Sequence, residues 1–355
     1  MAFVTGLLVI DAPASALNNA GADPRAATDN TVAVKKIRTP EGIRPYVSAQ
    51  AFRYWLRNTL EHNFEQWVAA PVFREGKIAY TDANPIQNWD DDLFGYMRAP
   101  SKKADPARDA KATPLEKGRE ITRVSPFRVS TLVSISPTSI VNDFGTMSRQ
   151  DGDPVPHEHE FYRAHLQGLF SLDLTSVGTF FDTEKVGYKN LDNNRRKAAQ
   201  ESNCQEVMVR KQKAWQLPLK DRGQRAATLI EGIAQLDGGA KQALHYTDVS
   251  PSVVFAAITR NGNHPFYRVF KSSKTYQTEL HLEALEEILQ VYQEDFLSDI
   301  YIGWAKGFLD AERSRLEKFL SENHITINIR LGHPKQMLHQ LSDDLMQEKN
   351  AGWYL

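Results

Sequence analysis

Residues 42–57 read Gly-Ile-Arg-Pro-Tyr-Val-Ser-Ala-Gln-Ala-Phe-Arg-Tyr-Trp-Leu-Arg. From Ser48 onward, Phe52, Trp55, Leu56, Leu60, Phe64 and Trp67 recur at three- and four-residue spacing. That period predicts an amphipathic helix of about five turns, with Ser48 as its N-cap. The leading end of a helix carries unpaired N–H groups and the positive end of the dipole, so it favours an anion. Ser48 and Gln50 add side-chain donors there, and Arg44 stands just upstream. Gln50, Arg53 and Arg57 are spaced three and four apart on a face beside the apolar one. Two arginines four residues apart repel unless something negative lies across them. Successive phosphates of a strand would supply it, and so would acids from elsewhere in the fold.

Upstream, Phe3 to Ile10 is a short apolar run broken by Gly6 and bounded by Asp11-Ala12-Pro13, which reads as a buried first strand. A polar loop follows from Ser15 to Thr31. Downstream, Arg98 to Lys117 lacks an apolar face and reads as a mobile surface loop within an insertion. Short β-prone pieces at Val129–Ile135, Phe161–His165 and Leu169–Leu174 flank the polar segment Asn142–Pro156, suggesting a long hairpin with an extended tip. A basic helical stretch, Gly238-Gly239, a strand at 253–258, an acidic helix bearing Leu282, Leu285, Ile288 and Leu289, and a final strand at Ile325–Ile329 complete the chain. Strands and helices without regular alternation predict an α+β fold. A split βαβ, ferredoxin-like core with insertions suits the order.

With 355 residues, 41% of them hydrophobic, the chain can hold one large domain with insertions or two ordinary domains. No uninterrupted apolar run of about 18 residues appears and no leader is visible at the N-terminus, so the expectation is a soluble, cytoplasmic protein with no membrane partner. A single cysteine, Cys204, excludes an internal disulfide and a multi-cysteine zinc site, and reads as an idle thiol. Lys and Arg (43) balance Asp and Glu (44), yet the charge is segregated. Residues 35–57 carry six cations (Lys35, Lys36, Arg38, Arg44, Arg53, Arg57) against Glu41 alone, and residues 195–225 carry nine against three acids. Residues 279–299 carry seven acids and no Lys or Arg. Segregation of this kind can present a basic stripe to a polyanion, or simply solvated helix faces.

The run Val47-Ser48-Ala49-Gln50-Ala51-Phe52-Arg53 into Arg57, preceded by a short strand, Leu17-Asn18-Asn19 and a basic approach, resembles the backbone subunits of type I CRISPR Cascade complexes in the RAMP superfamily. It looks closest to the DevR family of type I-B systems. Leu93-Phe94-Gly95, His159-Glu160-Phe161-Tyr162-Arg163, Phe170-Ser171-Leu172-Asp173-Leu174 and Gly238-Gly239-Ala240-Lys241-Gln242 ahead of Ser250-Pro251 follow in the order such a subunit would show.

The resemblance implies an RRM-like (ferredoxin-like) palm from residues 1–60 and 121–355 and an inserted helical finger domain at 61–120. It further implies a thumb β-hairpin at 138–165 and a basic helical insertion at 190–230. It implies a non-catalytic subunit that stacks with further copies of itself along a guide crRNA, leaving bases free to pair with a target DNA strand. The other implied partners are a large subunit, an end-capping RAMP subunit and a guide-processing endonuclease. Carried over by position, Asn18, Lys35, Lys36, Arg38, Arg44, Ser48, Gln50, Arg53 and Arg57 would hold the RNA backbone. Gly239, Lys241 and Gln242 would form a second basic loop, where glycine lets backbone N–H groups approach phosphate. Thr146, Met147 and Arg149, within Phe144–Gln150, would form the thumb tip, with Met147 wedged against an unstacked base. No cofactor or metal is expected.

The alternative from another class is a metal-dependent ribonuclease sharing the fold, as in related type III backbones that cut RNA with a loop aspartate. Asp11, Asp23, Asp29 and Asp143 are the acids available for it. His157-Glu158-His159 could place two imidazoles on one strand face, half of a metal site without a clear third ligand. His245 and His264 read as structural or exposed, and Gly238-Gly239 alone is no nucleotide fingerprint.

Overall fold

The run Phe3–Ile10 lies at the centre of a large mixed sheet in the computed structural model, which describes residues 1–22, 31–75, 77–99, 112–116, 119–149, 151–323 and 325–355. The strand spans Phe3–Ser15 and is antiparallel to both neighbours, Val155–Asp173 and Val253–Thr259. It is buried from Phe3 to Ile10 because both faces are covered. Val4, Leu8 and Ile10 pack beneath Phe52, Trp55, Leu56 and Leu60 of the first helix and beneath the helices Leu219–Ala234 and Pro334–Met346. Leu7 and Val9 face the other way, onto Phe266, Leu285, Ile288 and Leu289. Gly6 interrupts the run where the Phe170 ring crosses, leaving no room for a Cβ. The fold is α+β, as the mixed order of elements predicts.

Beyond Val253–Thr259 the sheet continues through Ile300–Trp304 to a parallel edge strand, Ile329–Gly332. The final strand thus begins where the alternating run 325–329 was expected to end. Ile300–Trp304 and the helix Pro334–Met346 lie outside the sequence expectations. On the other side the sheet runs through Leu132–Ser134 and Gly42–Val47 to Lys36–Thr39.

The hairpin is longer than its β-prone pieces suggest. Val155–Asp173 is one strand of 19 residues. Its second half pairs with the first strand, and its first half pairs with Ile140–Met147, from Ile140 opposite Tyr162 to Met147 opposite Val155. That first half has almost no core to face, so its polar residues hide a strand whose geometry is nonetheless continuous.

The region after the first helix holds more strand than the implied helical insert. Its described residues form the hairpin Val72–Glu75 with Ile78–Thr81, a six-residue helix Trp89–Phe94, and the pair Tyr96–Arg98 with Ile121–Arg123. Most of the loop expected at Arg98–Lys117 lies outside the described residues. The basic run 195–225 is not a surface stripe throughout. Arg195, Arg222 and Arg225 are buried. Asp92, also buried, accepts from Arg123, from Arg225 at 2.7 Å and from the Gly178 N–H at 3.0 Å. Arg222 donates to the carbonyls of Val177 and Tyr354. Their charges are spent inside, where each guanidinium meets several fixed acceptors. Cys204 is buried, and burial pushes its thiol up to about 11, which makes it inert. No helix among the described residues is long and apolar enough to cross a membrane.

Candidate nucleic-acid interface

Ser48 caps the first helix, Ala49–Asn63, as its position predicts. Its Oγ accepts the Ala51 N–H at 3.3 Å, and the first turn carries no acid. The Ser48 N–H is taken by Asn18 Oδ1 at 3.0 Å. Asn18 is therefore a brace for the helix start, and its backbone carbonyl also accepts the Lys35 N–H at 2.9 Å. The neighbouring Leu17 carbonyl accepts the Ala240 N–H at 3.0 Å, which brings the glycine loop to the same point. Gly238 and Gly239 have φ of 149° and 110°, a region that favours glycine. At Gly238 a Cβ would stand 2.5 Å from the Trp55 ring, so the loop lies directly on the first helix. Leu17-Asn18 thus joins the basic approach, the positive end of the helix and the glycine loop.

Two contacts bring the hairpin to this junction. Lys241 Nζ lies 2.8 Å from His159 Nδ1, and Lys36 pairs with Glu160 on the opposite face of the same strand. Lys36 is therefore neutralised by the protein itself. Lys35 is half-buried, Arg38 and Gln50 are exposed, and their side chains have no partner among the described residues. Tyr54, just after Gln50, and Tyr246, just after the glycine loop, are exposed at 62% and 80%, the kind of ring on which a base can stack. Gln242 is a staple of the loop, donating to the Gly238 and Thr247 carbonyls and accepting the Thr247 N–H at 2.9 Å. At the far end of the hairpin Thr146, Met147 and Arg149 are exposed, as is Phe144. Gln150 lies outside the described residues.

The remaining arginines are placed differently from the expected surface ladder. Arg44 donates to the carbonyls of Ser134 and Ile135. Arg53 donates to the Phe94 carbonyl at 2.6 Å, the Phe127 carbonyl at 2.9 Å and Ser125 Oγ at 3.2 Å. Burial, together with the charge of Arg57, pushes its guanidinium down to about 10. Arg57 lies over the Phe94 ring at 4.2 Å. Burial holds it below its usual range, while Asp90 and Asp91 pull it back up. Repulsion between the two arginines is thus offset by carbonyls, an aromatic face and two carboxylates. What the spacing left open is settled locally by the insert.

Asp90 bears the cost of this packing. Burial, and then Asp91, raise its carboxyl from 3.8 to about 6, although Oδ1 accepts the N–H groups of Ala70 and Asp91. A carboxyl raised in the folded state destabilises above its folded pKa, and the penalty is relieved as pH falls from 6 towards 4. Asp90→Asn, which keeps the accepting oxygen, is expected to stabilise the protein by about 1–2 kcal/mol at pH 7.5. In thermal melts across pH, the gain should close by pH 4; an equal gain at both ends would dissociate it from ionisation.

Of the acids weighed for cleavage, Asp11 lies 3.6 Å from His165 Nε2, Asp143 is exposed on the hairpin, and Asp23 and Asp29 lie outside the described residues. A third imidazole, His245, joins His157 and His159 on one face of the hairpin. The signal was present in the one-face spacing of His157, His159 and Phe161, but the loop that completes it is about 80 residues away.

The fold and this junction define an α+β protein with a projecting hairpin and a helix start that meets a glycine loop and a basic segment. No family model matches the sequence, and no curated protein matches it. Among solved structures, the chain is similar to one from a "CRISPR RNA-guided surveillance complex, pre-nicking", with a TM-score of 0.53 at 10% identity over 97% of this chain and 100% of that one. A chain of another "CRISPR RNA-guided surveillance complex" aligns with a TM-score of 0.48 at 10% identity, covering 96% and 98%. At 10% identity the likeness to the first of these, with its TM-score of 0.53, shows the fold alone.

Proposed function

We propose that this chain is a non-catalytic RNA-binding backbone subunit of a Cascade-type CRISPR interference complex, of the type I-B DevR kind. The observation that carries it is the junction at Leu17-Asn18. There Asn18 and Leu17 tie together a helix start whose first turn carries no acid, the backbone at Lys35 and the glycine loop, with the side chains of Lys35, Arg38 and Gln50 left without a partner among the described residues. A cleft of fixed N–H donors and scattered cations grips phosphates and ignores base identity, which is what a subunit accepting any guide requires. The hairpin, with Phe144 and Met147 exposed at 61% and 59%, supplies the apolar tip that crosses the strand. In this reading successive copies stack along the guide crRNA, beside a large subunit, an end-capping subunit and a guide-processing endonuclease, and leave bases available to target DNA.

The test is purification of the full chain co-expressed with its neighbouring subunits and a guide, followed by absorbance ratio and RNA extraction. Retained RNA of defined length, and long particles by electron microscopy, are the expected result. Particles without RNA would sink the reading. Regularly spaced cleavage of a complementary RNA with magnesium would replace it with the nuclease alternative.

A further inference from the structure

Four groups able to carry positive charge crowd one face of the hairpin. Lys241 Nζ lies 2.8 Å from His159 Nδ1; since an ammonium can only donate, that nitrogen is the acceptor and the ring's other N–H is left as a donor. The His157 and His159 rings are 4.8 Å apart, and His245 stands 6.5 Å from His159 while stacking on Phe161 at 5.3 Å. His157 lies over Gly145, where a Cβ would come 2.5 Å from its Nε2, so glycine is what admits the ring. His245 Nε2 is buried and has no hydrogen-bond partner among the described residues. Lys241 itself is held at φ 54°, in the left-handed region, by bonds from the Leu244 and His245 N–H groups to its carbonyl. Non-glycine residues keep that conformation where their surroundings impose it.

The charges around His159 are unbalanced. Its own strand contributes His157 and, further along the same alternation, Arg163; the loop contributes Lys241 and His245; the paired hairpin strand contributes one acid, Asp143, opposite His159. Glu158 and Glu160 alternate to the other face, where Glu160 takes Lys36 and the Val34 N–H. Burial, and then Lys241, His157 and His245, hold the His159 imidazole below its ordinary range.

We propose that Lys241, His157, His159 and His245 form a seat for one phosphate group of a bound single strand, and that filling the seat draws protons from solvent onto its imidazoles. The inference rests on the RNA-binding reading above. An anion among these groups converts mutual repulsion into shared attraction, so each ring becomes easier to protonate, and by linkage the strand binds more tightly as pH falls. No covalent step is involved: Lys241 Nζ turns from His159 Nδ1 to the phosphate, a solvent proton takes the vacated nitrogen, and both changes reverse when the strand leaves.

The test uses the full chain and an oligouridylate of about 12 nucleotides, long enough for one binding groove. Calorimetry at pH 7 in two buffers of different ionisation enthalpy should give different apparent enthalpies, and affinity should be about tenfold tighter at pH 6 than at pH 8. In ring-proton NMR titrations the strand should move the His159 midpoint upward by about one pH unit, a readout that needs no variant. The His157→Gln, His159→Gln, His245→Gln triple variant should bind with a flat pH profile. Tight binding with no buffer dependence and an unmoved His159 midpoint overturns the seat and leaves the RNA reading standing. No binding at any pH or salt concentration overturns both.

Discussion

Asp92→Ala is expected to lower stability by about 3–5 kcal/mol, the cost of breaking a buried ion cluster by removing one member. Both Asp92 and the two guanidinia it holds are buried, and Asp92 is the only carboxylate among the described residues that pairs with Arg123 or Arg225. Without it, two charges remain in the interior. Arg123 keeps the carbonyls of Asp92 and Thr179, and Arg225 keeps those of Pro85 and Ile86, so their donors stay largely satisfied while their charge does not. The loss is therefore mainly electrostatic, with the Gly178 N–H also losing its acceptor. Because Asp92 sits in the short helix of the insert, Arg225 in the Leu219–Ala234 helix and Gly178 after the long strand, the same change unties three parts of the chain. Chemical denaturation should show a midpoint shift with Asp92→Asn intermediate between wild type and alanine, since asparagine keeps an acceptor but not the charge. A shift below about 1 kcal/mol would mean that the cluster merely breaks even against its desolvation.

What sequence could show of this molecule follows from how local each signal is. The first strand and first helix are legible because period and burial agree within a few residues, and Ser48 caps where a serine before an apolar-periodic run should. The long strand Val155–Asp173 is half hidden because its outer portion pairs with a hairpin partner and meets core only near Phe161 and Tyr162, so polar residues interrupt a continuous geometry. The fate of the arginines is the least legible. Lys35 to Arg57 and Arg195 to Arg225 look alike as basic runs, yet Arg53, Arg195, Arg222 and Arg225 end against carbonyls and carboxylates up to 140 residues away. Nothing in spacing distinguishes a guanidinium awaiting a phosphate from one already satisfied by the chain. Asn18 shows the reverse case, expected at RNA and found bracing the helix end that would meet it.

That distinction separates two sets of cations by experiment. Lys35→Ala combined with Arg38→Ala removes charge from side chains with no partner among the described residues, so the melting temperature should stay within a degree or two while RNA affinity falls roughly ten- to a hundredfold. Each phosphate contact on a single strand contributes about 0.7 to the slope of log affinity against log salt, so the double variant should flatten that slope by about 1.4. Arg53→Ala should behave in the opposite way. It leaves the Phe94 carbonyl without its guanidinium donor, while the Phe127 carbonyl keeps the Ser125 hydroxyl, costing about 1–3 kcal/mol of stability, and leaves the salt slope near its wild-type value. Filter binding across salt concentrations, paired with thermal melts, reads both effects on the same preparations. If Arg53→Ala flattened the slope while Lys35→Ala with Arg38→Ala left it unchanged, the strand would run along the insert side of the first helix, and the junction at Leu17-Asn18 would be scaffold alone.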